Sequence, residues 1–398
     1  MNAFFASVEQ QRRPELRNKP LAVVSHLHQR GSVLAASYEA KAFGIKTSMR
    51  VEEARALCPH LLLTQVGSSV YREVHDRFMQ ILFNLCGPEV QPRSIDEAAV
   101  FLPPNWQSSK FAHQLARSIK QRFAADLGEC IRCSIGIAPN SLLAKFATKL
   151  KKPDGLIEIT LENTEEILSR CALGDLPGIA DRMTKQLEAV GITTPLELYH
   201  TSAEQLRSHF GIWGQYWWWR LHGYECDTYY NSQLKSISHE HVLPHWVRTR
   251  EELAGVISTM SDTLIHRLRR NRLQCNGVWL SLRLAGAPRY SLGRSFDAPT
   301  GSYHELLGAF TGFIAELPSE LPYPVRKVAL GFGWLNSEES GTQLSLLEET
   351  GKHEDLTRAM TRVRQRHGFT SIKPASSYTT KQELREVIGF GRLKDKIS

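Results

Sequence analysis

Short apolar runs alternate with stretches of helical periodicity over the first 160 residues. Three continuous apolar runs have the length of strands, at residues 21–24, 33–36 and 61–66. Residues 70–85 and 111–123 instead place apolar side chains at every third or fourth position, the repeat of a core-facing helix. The chain begins with an apolar, aromatic run at residues 1–9, which predicts a strand entered midway. We expect a sheet with helices packed on one side.

Two adjacent carboxylates, Asp96 and Glu97, lie within a short strand-forming run at residues 92–101. Neighbouring residues of a regular strand point to opposite faces, so both can serve one site only at a hairpin turn or a strand end. Pro92 is compatible with such an end. Carboxylate oxygens that converge on one point suit Mg²⁺. The alternative is an exposed acidic pair on an edge strand.

The chain has 398 residues, enough for two to four domains. Its 49 Lys and Arg residues against 41 Asp and Glu give a formal net charge of +8, which favours an anionic partner. The basic residues concentrate in two places, with four lysines from Lys145 to Lys152 and four arginines from Arg267 to Arg272. Either cluster is also compatible with a solvated helix face.

Seven scattered cysteines and the lack of a signal peptide or an apolar run of membrane-spanning length predict a cytoplasmic protein with reduced thiols. Cys130 and Cys133 form a single C-x-x-C pair inside an apolar, strand-like run. Because no second pair accompanies them, we interpret them as buried structural thiols rather than as a zinc site.

Four short motifs follow one another in order. They are FFASVE at residues 4–9, YEAKAFGI at 38–45, SIDE at 94–97, and SIGIAPN at 134–140, the last followed by LAK and KPDGL. Together they resemble a Y-family translesion DNA polymerase of the bacterial polymerase IV type. The resemblance implies an α+β multidomain, right-hand polymerase with a ferredoxin-like palm, small fingers, a helical thumb with a helix-hairpin-helix, and a β-rich little finger.

The resemblance runs nearly end to end and implies a division of the chain. The expected segments are a palm (1–10 and 68–160), fingers (11–67), a thumb (161–226), a linker (227–234), a little finger (235–335) and a C-terminal tail with a clamp-binding peptide (336–398). Within the little finger, residues 278–284 alternate between apolar and polar positions, which predicts a half-buried strand.

The implied activity is DNA-directed DNA synthesis across damaged templates, with low fidelity, as part of DNA repair. On the family pattern, Asp96, Glu97 and the backbone carbonyl of Met1 hold two Mg²⁺ ions. Two such ions stabilise the attacking and leaving oxygens of an in-line displacement. A small-molecule nucleotidyl transferase would also explain the carboxylates, but not the thumb-like and basic C-terminal halves.

The family pattern also assigns the nucleotide site. Tyr38, Lys41 and Lys152 fall where the family contacts the incoming triphosphate, whose negative charge favours cationic neighbours. Phe5 falls at the steric gate, where a flat ring would clash with a ribose 2′-hydroxyl. The alternative for Phe5 is an ordinary core residue.

DNA contacts are expected at two places. Gly178 belongs to a helix-hairpin-helix in which backbone N–H groups approach phosphates. Arg267, Arg269, Arg270 and Arg272 would contact phosphates of the duplex without reading its sequence. The alternatives are an ordinary turn between packed helices and a solvated helix face.

A pentamer in the polar tail resembles the peptide with which the family docks on the β subunit of the sliding clamp. Its expected clamp-binding residues are Gln343, Leu344, Leu346 and Leu347. The expected partners are therefore primer–template DNA, dNTPs and the clamp, with no membrane, and we expect a monomer. A helix-entry segment is the alternative interpretation of the pentamer.

Several departures from the family pattern qualify the resemblance. The family has an Asp immediately before the position of Met1, where it bridges both metals, and this sequence has none. Lys41 replaces an Arg, Lys149 replaces an Asp and Leu347 replaces a Phe. Either the reading frame begins upstream, or the protein is a catalytically impaired adaptor that holds DNA and the clamp.

Overall fold

The computed structural model describes residues 1–29, 31–226, 235–337 and 349–372. The described residues up to 226 form one compact unit, and those from 235 onward form a second. Both units mix helices with sheets, so the chain has an α+β multidomain architecture, as predicted. Within the described ranges, no helix combines the length and the apolar composition that crossing a membrane requires.

The first unit contains eleven helices and seven strands among its described residues. The helices are α1 (Phe4–Arg12), α2 (Tyr38–Ala42), α3 (Val51–Leu57), α4 (Ser68–Cys86), α5 (Ser109–Leu127), α6 (Ser141–Leu150), α7 (Thr164–Leu168), α8 (Asp181–Glu188), α9 (Pro195–His200), α10 (Ala203–Phe210) and α11 (Ile212–Leu221). The strands are β1 (Leu21–Val24), β2 (Val33–Ala36), β3 (Leu62–Gln65), β4 (Val90–Pro92), β5 (Ala98–Val100), β6 (Ile135–Ile137) and β7 (Leu156–Glu158).

The strands of the first unit form three separate sheets. One has the order β2-β1-β3, with β2 antiparallel and β3 parallel to β1. The hairpin β4–β5 is antiparallel, and β6–β7 is a parallel pair. The three apolar runs predicted as strands are confirmed, because they form β1, β2 and β3. Helices α4 and α5, predicted from periodicity, pack on each other and enclose a core with Phe78 and Phe123.

Two expectations for the start of the chain are wrong. Residues 4–12 form helix α1 rather than a strand, and most of that helix is buried. Polar residues such as Ser7, Glu9 and Gln10 are buried along with the apolar ones, so the sequence shows no helical period of apolar and polar positions, which explains the error. The sheet that we expected is not continuous, because its strands form two short pairs, β4–β5 and β6–β7. The first residues of the chain bond beside both pairs: Asn2 N–H donates to the Arg132 carbonyl, and the Met1 amine donates to the Asp96 carbonyl.

The C-x-x-C cysteines are both free thiols. Cys133 is buried in the core of the first unit, and Cys130 is half-buried. Burial raises the pKa of both thiols, which keeps them protonated and unreactive. Their environment agrees with the prediction of structural thiols.

The helices after residue 160 pack around their own apolar cluster, which includes Leu173, Leu187, Leu198 and Leu206. Local sequence sets their ends. Thr194 and Ser202 each accept a hydrogen bond from the backbone N–H three residues on, at the starts of α9 and α10.

The second unit is a four-stranded antiparallel sheet covered by helices on one face. Its elements are β8 (Ser236–Thr249), α12 (Arg250–Arg270), β9 (Leu273–Leu284), β10 (Tyr290–Thr300), α13 (Tyr303–Glu316), β11 (Glu320–Ser337) and α14 (Glu349–His367). The strand order is β10-β9-β11-β8. Along β9, Val278, Leu280 and Leu282 are buried toward the helices, which confirms the predicted alternation.

A buried ion pair fixes α14 to the rest of the second unit. Arg364 Nη2 lies 2.7 Å from Asp262 Oδ2, and both side chains are only 4% exposed. The Tyr303 hydroxyl donates to the other oxygen of the Asp262 carboxylate, at 2.7 Å. Arg364 also donates to the Ile372 carbonyl. The region expected to be a polar tail therefore includes a helix that packs on the second unit.

Replacing Arg364 with Ala should destabilise the second unit by about 3–5 kcal/mol, because the Asp262 carboxylate would stay buried without its partner. Urea unfolding of the full chain, followed by circular dichroism, measures the loss. Arg358→Ala is the matched control on the same helix, since its pair with Asp355 is exposed and is worth about 0–1 kcal/mol. Equal losses for the two variants would contradict the importance of the buried pair.

Candidate active site

The two adjacent carboxylates occupy the turn of the β4–β5 hairpin. The N–H groups of Arg93 and Ser94 both donate to the Glu97 carbonyl, at 2.8 and 3.1 Å, and close the turn. The Ser94 hydroxyl donates to Asp96 Oδ1 at 2.7 Å. Asp96 and Glu97 are thus released from the strict alternation of a strand, as the sequence required for a shared site.

Buried residues of the first unit hold the turn in place. Ile95, between Ser94 and Asp96, is 2% exposed and anchors the turn in the apolar cluster of the first unit. The buried His75 of α4 hydrogen-bonds the Ile95 carbonyl at 2.9 Å through Nδ1. Its ring packs edge-on against Phe78, which fixes the orientation of the imidazole. The carboxylates are therefore presented from a rigid base.

Residues 1 and 2 run beside this turn. The Met1 amine donates to the Asp96 carbonyl at 2.5 Å, and burial lowers the pKa of this amine. The buried Asn2 donates to the Ser134 hydroxyl and accepts from the backbone N–H of Asp154 at 2.9 Å. The sequence analysis missed Asn2; an amide within an apolar run is the signal that could have identified it.

Lysines of α6 and the following loop surround the carboxylates. Lys145 Nζ lies 2.7 Å from Glu97 Oε2, a contact over 48 residues of sequence that no local pattern predicts. Lys149 Nζ donates to the Asp175 carbonyl at 3.0 Å. Burial lowers the pKa of Lys149, and the nearby Lys145 and Lys152 lower it further. The sequence analysis noted this cluster but missed the pairing of Lys145 with Glu97.

The predicted triphosphate contacts also lie here. The Lys41 ammonium lies 4.3 Å from the centre of the Tyr38 ring. Burial lowers the pKa of Lys41, and the neighbouring charge of Lys152 adds to that effect. Burial raises the pKa of Tyr38, while a hydrogen bond with the Asn2 side chain opposes the rise. The structure thus places Lys41 against Tyr38 and brings Lys152 close enough to act on both Lys41 and the Met1 amine beside Asp96.

Phe5 lies inside the core of α1 and α4. It is 2% exposed, and its ring stacks on Tyr71 with 4.4 Å between ring centres. Tyr71 in turn donates its hydroxyl to Glu9 Oε1 at 2.8 Å. Phe5 therefore contributes to packing whatever its part in nucleotide selection.

The structure does not bring the predicted DNA-binding arginines to one surface. Arg267 is buried and donates to the Ser238 carbonyl, and Arg269 donates to the Gly301 carbonyl at 2.8 Å. Arg270 and Arg272, at the end of α12, are exposed. Arg267, Arg269 and Arg270 differ because successive positions of a helix point in different directions, and Arg272 lies two residues beyond the end of α12.

Gly178 lies in the first unit, three residues before α8. Its φ of +91° is a conformation that glycine adopts without strain, and nothing lies within 4 Å of where a Cβ would stand. A ligand can therefore approach this backbone closely. The predicted linker (227–234) and the predicted clamp residues Gln343, Leu344, Leu346 and Leu347 lie outside the described residues.

The donors at the turn fit a hard divalent cation. Among the described residues, no group of three or more His, Cys, Asp or Glu side chains converges on a metal site. Asp96, Glu97 and the Met1 carbonyl are nevertheless all oxygen donors, and Mg²⁺ typically takes one or two carboxylates with water and substrate phosphates. Glu97 would have to leave Lys145 to coordinate fully.

Comparison with known proteins identifies relatives along almost the whole chain. The model of the impB/mucB/samB family matches residues 1–149, and that of its C-terminal domain matches residues 234–346. DNA polymerase IV of Pelotomaculum thermopropionicum is 31% identical over 392 residues, covering 97% of this chain and 96% of the relative. DNA polymerase IV of Dehalococcoides mccartyi strain CBDB1 is 29% identical, covering 96% and 97%.

A solved structure shares the fold. A Y-family DNA polymerase chimera superimposes with a TM-score of 0.69 at 22% sequence identity, covering 83% of this chain and 96% of the chimera. The predicted right-hand polymerase architecture is thereby confirmed at the level of the fold.

Proposed function

Since this chain belongs to the impB/mucB/samB family and is a Y-family DNA polymerase of the polymerase IV type, we propose that it performs translesion synthesis at the β4–β5 turn. The observation that carries the proposal is the grouping around the start of the chain: the Met1 amine donates to the Asp96 carbonyl, and Lys152 is close enough to act electrostatically on both that amine and Lys41. A carboxylate pair beside two lysines suits a metal-bound triphosphate.

In the proposed mechanism, Asp96, Glu97 and the Met1 carbonyl would hold the catalytic metals. Two Mg²⁺ ions, when bound, would supply charge stabilisation for the attacking and leaving oxygens. The protein's own part is to hold the carboxylates rigidly, which the Ser94 and His75 hydrogen bonds do. Preorganised charge of this kind contributes most of the catalysis in phosphoryl transfer.

Lys41 and Lys152 bind the triphosphate in this proposal. In the free protein burial lowers the pKa of Lys41, and the charge of Lys152 lowers it further. A triphosphate, with roughly four negative charges, would offset the repulsion between the two ammonium groups. Tyr38, whose ring lies beside the Lys41 ammonium, would orient that lysine. Phe5 would bar the 2′-hydroxyl of ribonucleotides.

The remaining assignments follow the same pattern. We propose that residues 1–10 and 68–160 are the palm, 11–67 the fingers, 161–226 the thumb and 235–335 the little finger. Gly178 would accept a DNA phosphate on backbone N–H groups. Of the basic cluster, Arg270 and Arg272 are exposed and suit phosphate contacts, Arg269 is half-buried, and Arg267 is too buried to contribute.

A sliding-clamp contact through Gln343, Leu344 and Leu346 is part of the proposal. Replacing all three with Ala should abolish clamp-stimulated synthesis but preserve distributive synthesis on a short primer, because tethering raises effective concentration without changing the active site. Titration calorimetry with the clamp and primer extension measure the two effects. Unchanged clamp affinity would place the docking peptide elsewhere.

The alternative is an adaptor that binds DNA and the clamp without catalysis. The ion pair of Lys145 with Glu97 favours it, since a carboxylate neutralised by a lysine is a weaker metal ligand.

Primer extension opposite a single abasic site tests translesion synthesis. We expect the purified chain, with Mg²⁺ and dNTPs, to insert a nucleotide opposite the lesion and extend beyond it. An undamaged template of the same sequence is the control. Synthesis that copies the undamaged template but stops at the lesion would contradict the translesion assignment, and binding without any synthesis would favour the adaptor.

A further inference from the structure

Residues 151–155, between α6 and β7, form the loop that carries Lys152, and other parts of the first unit bond to this loop. The Ser134 hydroxyl, just before β6, donates to the first carbonyl of the loop at 3.3 Å and accepts from its last N–H at 3.2 Å. Asn2 Oδ1 accepts from the N–H of Asp154 at 2.9 Å. The loop is therefore attached to β6 and to the start of the chain.

Lys120 supplies a third attachment of this loop, from α5. Its ammonium donates to the Asp154 carbonyl at 2.7 Å and to the Oδ1 atom of the same residue. It also donates to the Cys133 carbonyl at 2.9 Å, so each of its three N–H donors has an acceptor. The Lys120 side chain is only 20% exposed, although most lysines lie in contact with water. Lys120 thus joins α5 to the loop across 34 residues of sequence.

Asp154 has an unusual backbone conformation within the loop. Its φ of +57° lies in the left-handed region, which few residues other than Gly, Asn and Asp adopt. Its N–H, its carbonyl and its carboxylate each bond to a side chain outside the loop, and Lys120 accounts for two of these three attachments. Partners outside the loop therefore determine the path of the backbone next to Lys152.

The position of this loop matters for the triphosphate. The charge of Lys152 acts on both Lys41 and the Met1 amine. The Asp154 carboxylate, two residues further on, would oppose a triphosphate unless a cation compensated it, and Lys120 is that cation. We propose that Lys120 is a positioning residue for the incoming nucleotide, because through Asp154 it fixes the loop that presents Lys152 to the triphosphate. This rests on the proposed role of Lys152 in nucleotide binding.

Equilibrium binding of a fluorescent dATP analogue tests the proposal without chemistry, using the full chain on a primer–template whose primer ends in a dideoxynucleotide. Lys120→Met should weaken nucleotide binding by about 10-fold, within the range for groups coupled through one hydrogen-bond network. Lys120→Arg should restore part of the affinity, because a guanidinium keeps the charge and several donors. Lys110→Met, on the exposed first turn of α5, is the matched control and should bind nucleotide like the parent.

Two further measurements distinguish positioning from a general loss of structure. Affinity for the primer–template itself should stay parental in Lys120→Met, and in primer extension the loss should lie in the KM for the dNTP rather than in kcat. A primer–template affinity that falls as much as the nucleotide affinity would overturn the proposal. Parental nucleotide affinity in Lys120→Met would do the same.

A double-mutant cycle tests whether Lys120 acts through Asp154. Asp154→Asn removes the negative charge and keeps a residue that tolerates the left-handed conformation. Lys120→Met should then cost less nucleotide affinity in the Asp154→Asn background than in the parent. Equal costs in the two backgrounds would contradict the coupling. A parent that binds the nucleotide but extends no primer would contradict the proposed synthesis alone, so the two failures are distinguishable.

Discussion

Replacing Asp96 with Asn should reduce nucleotide incorporation by about a thousandfold or more, because a carboxylate in a two-metal site contributes several kcal/mol of charge stabilisation. The amide keeps the shape of the side chain and can still meet the Ser94 hydroxyl, so the turn should fold normally. Affinity for primer–template should stay close to that of the parent, since the proposed mechanism uses the side chain as a metal ligand and not as a phosphate contact.

Single-nucleotide incorporation kinetics and fluorescence anisotropy measure these two quantities. Asp126→Asn is the matched control: it removes a carboxylate of the same unit that pairs with Arg122 on the surface of α5. Incorporation at the parental rate by the Asp96 variant would remove this residue from the site. Equal losses for the two variants would indicate a general effect of charge.

Replacing Phe5 with Ala should weaken the preference for dNTPs over rNTPs by about 10- to 200-fold, the range for a change in pocket shape. The same change should destabilise the first unit by about 3–5 kcal/mol, because the ring is buried against Tyr71. The ratio of kcat/KM values for a matched pair of dNTP and rNTP measures the preference. This ratio is insensitive to the fraction of folded protein.

Phe4→Ala supplies the control for that experiment. Phe4 is the preceding residue of α1, is 3% exposed and belongs to the same apolar cluster. It should lower stability by a similar amount and leave sugar preference unchanged. An unchanged ratio in the Phe5 variant would make Phe5 a packing residue alone.

Local sequence determines where several helices begin, because a capping side chain marks the first turn. Helix α6 begins where the Asn140 side chain accepts a hydrogen bond from Leu143 N–H, and α2 begins at the equivalent Ser37 cap. The strand predicted for residues 1–9 was wrong. Residues 4–12 form helix α1, and a helix that is buried on most sides has no polar face to reveal its period. Strand geometry restricted a shared site for Asp96 and Glu97 to a turn or a strand end but left an exposed pair on an edge strand open, and the structure shows the turn.

Long-range partners were not accessible from sequence. The pairing of Lys145 with Glu97 and the burial of Arg364 on Asp262 join residues 48 and 102 positions apart. The neighbouring arginines Arg267, Arg269 and Arg270 also differ in exposure, because they lie on different sides of α12. The ring of Trp334 faces the open side of its sheet only because of one unusual backbone angle, which no composition or period predicts.

Single-turnover incorporation on four primer–templates that differ only in the templating base tests whether this chain adds nucleotides under the direction of a template at the Asp96–Glu97 turn. We expect Mg²⁺-dependent addition of one nucleotide, with the complementary base preferred on each template. Stable binding of all four primer–templates without extension of any primer by any dNTP would contradict it.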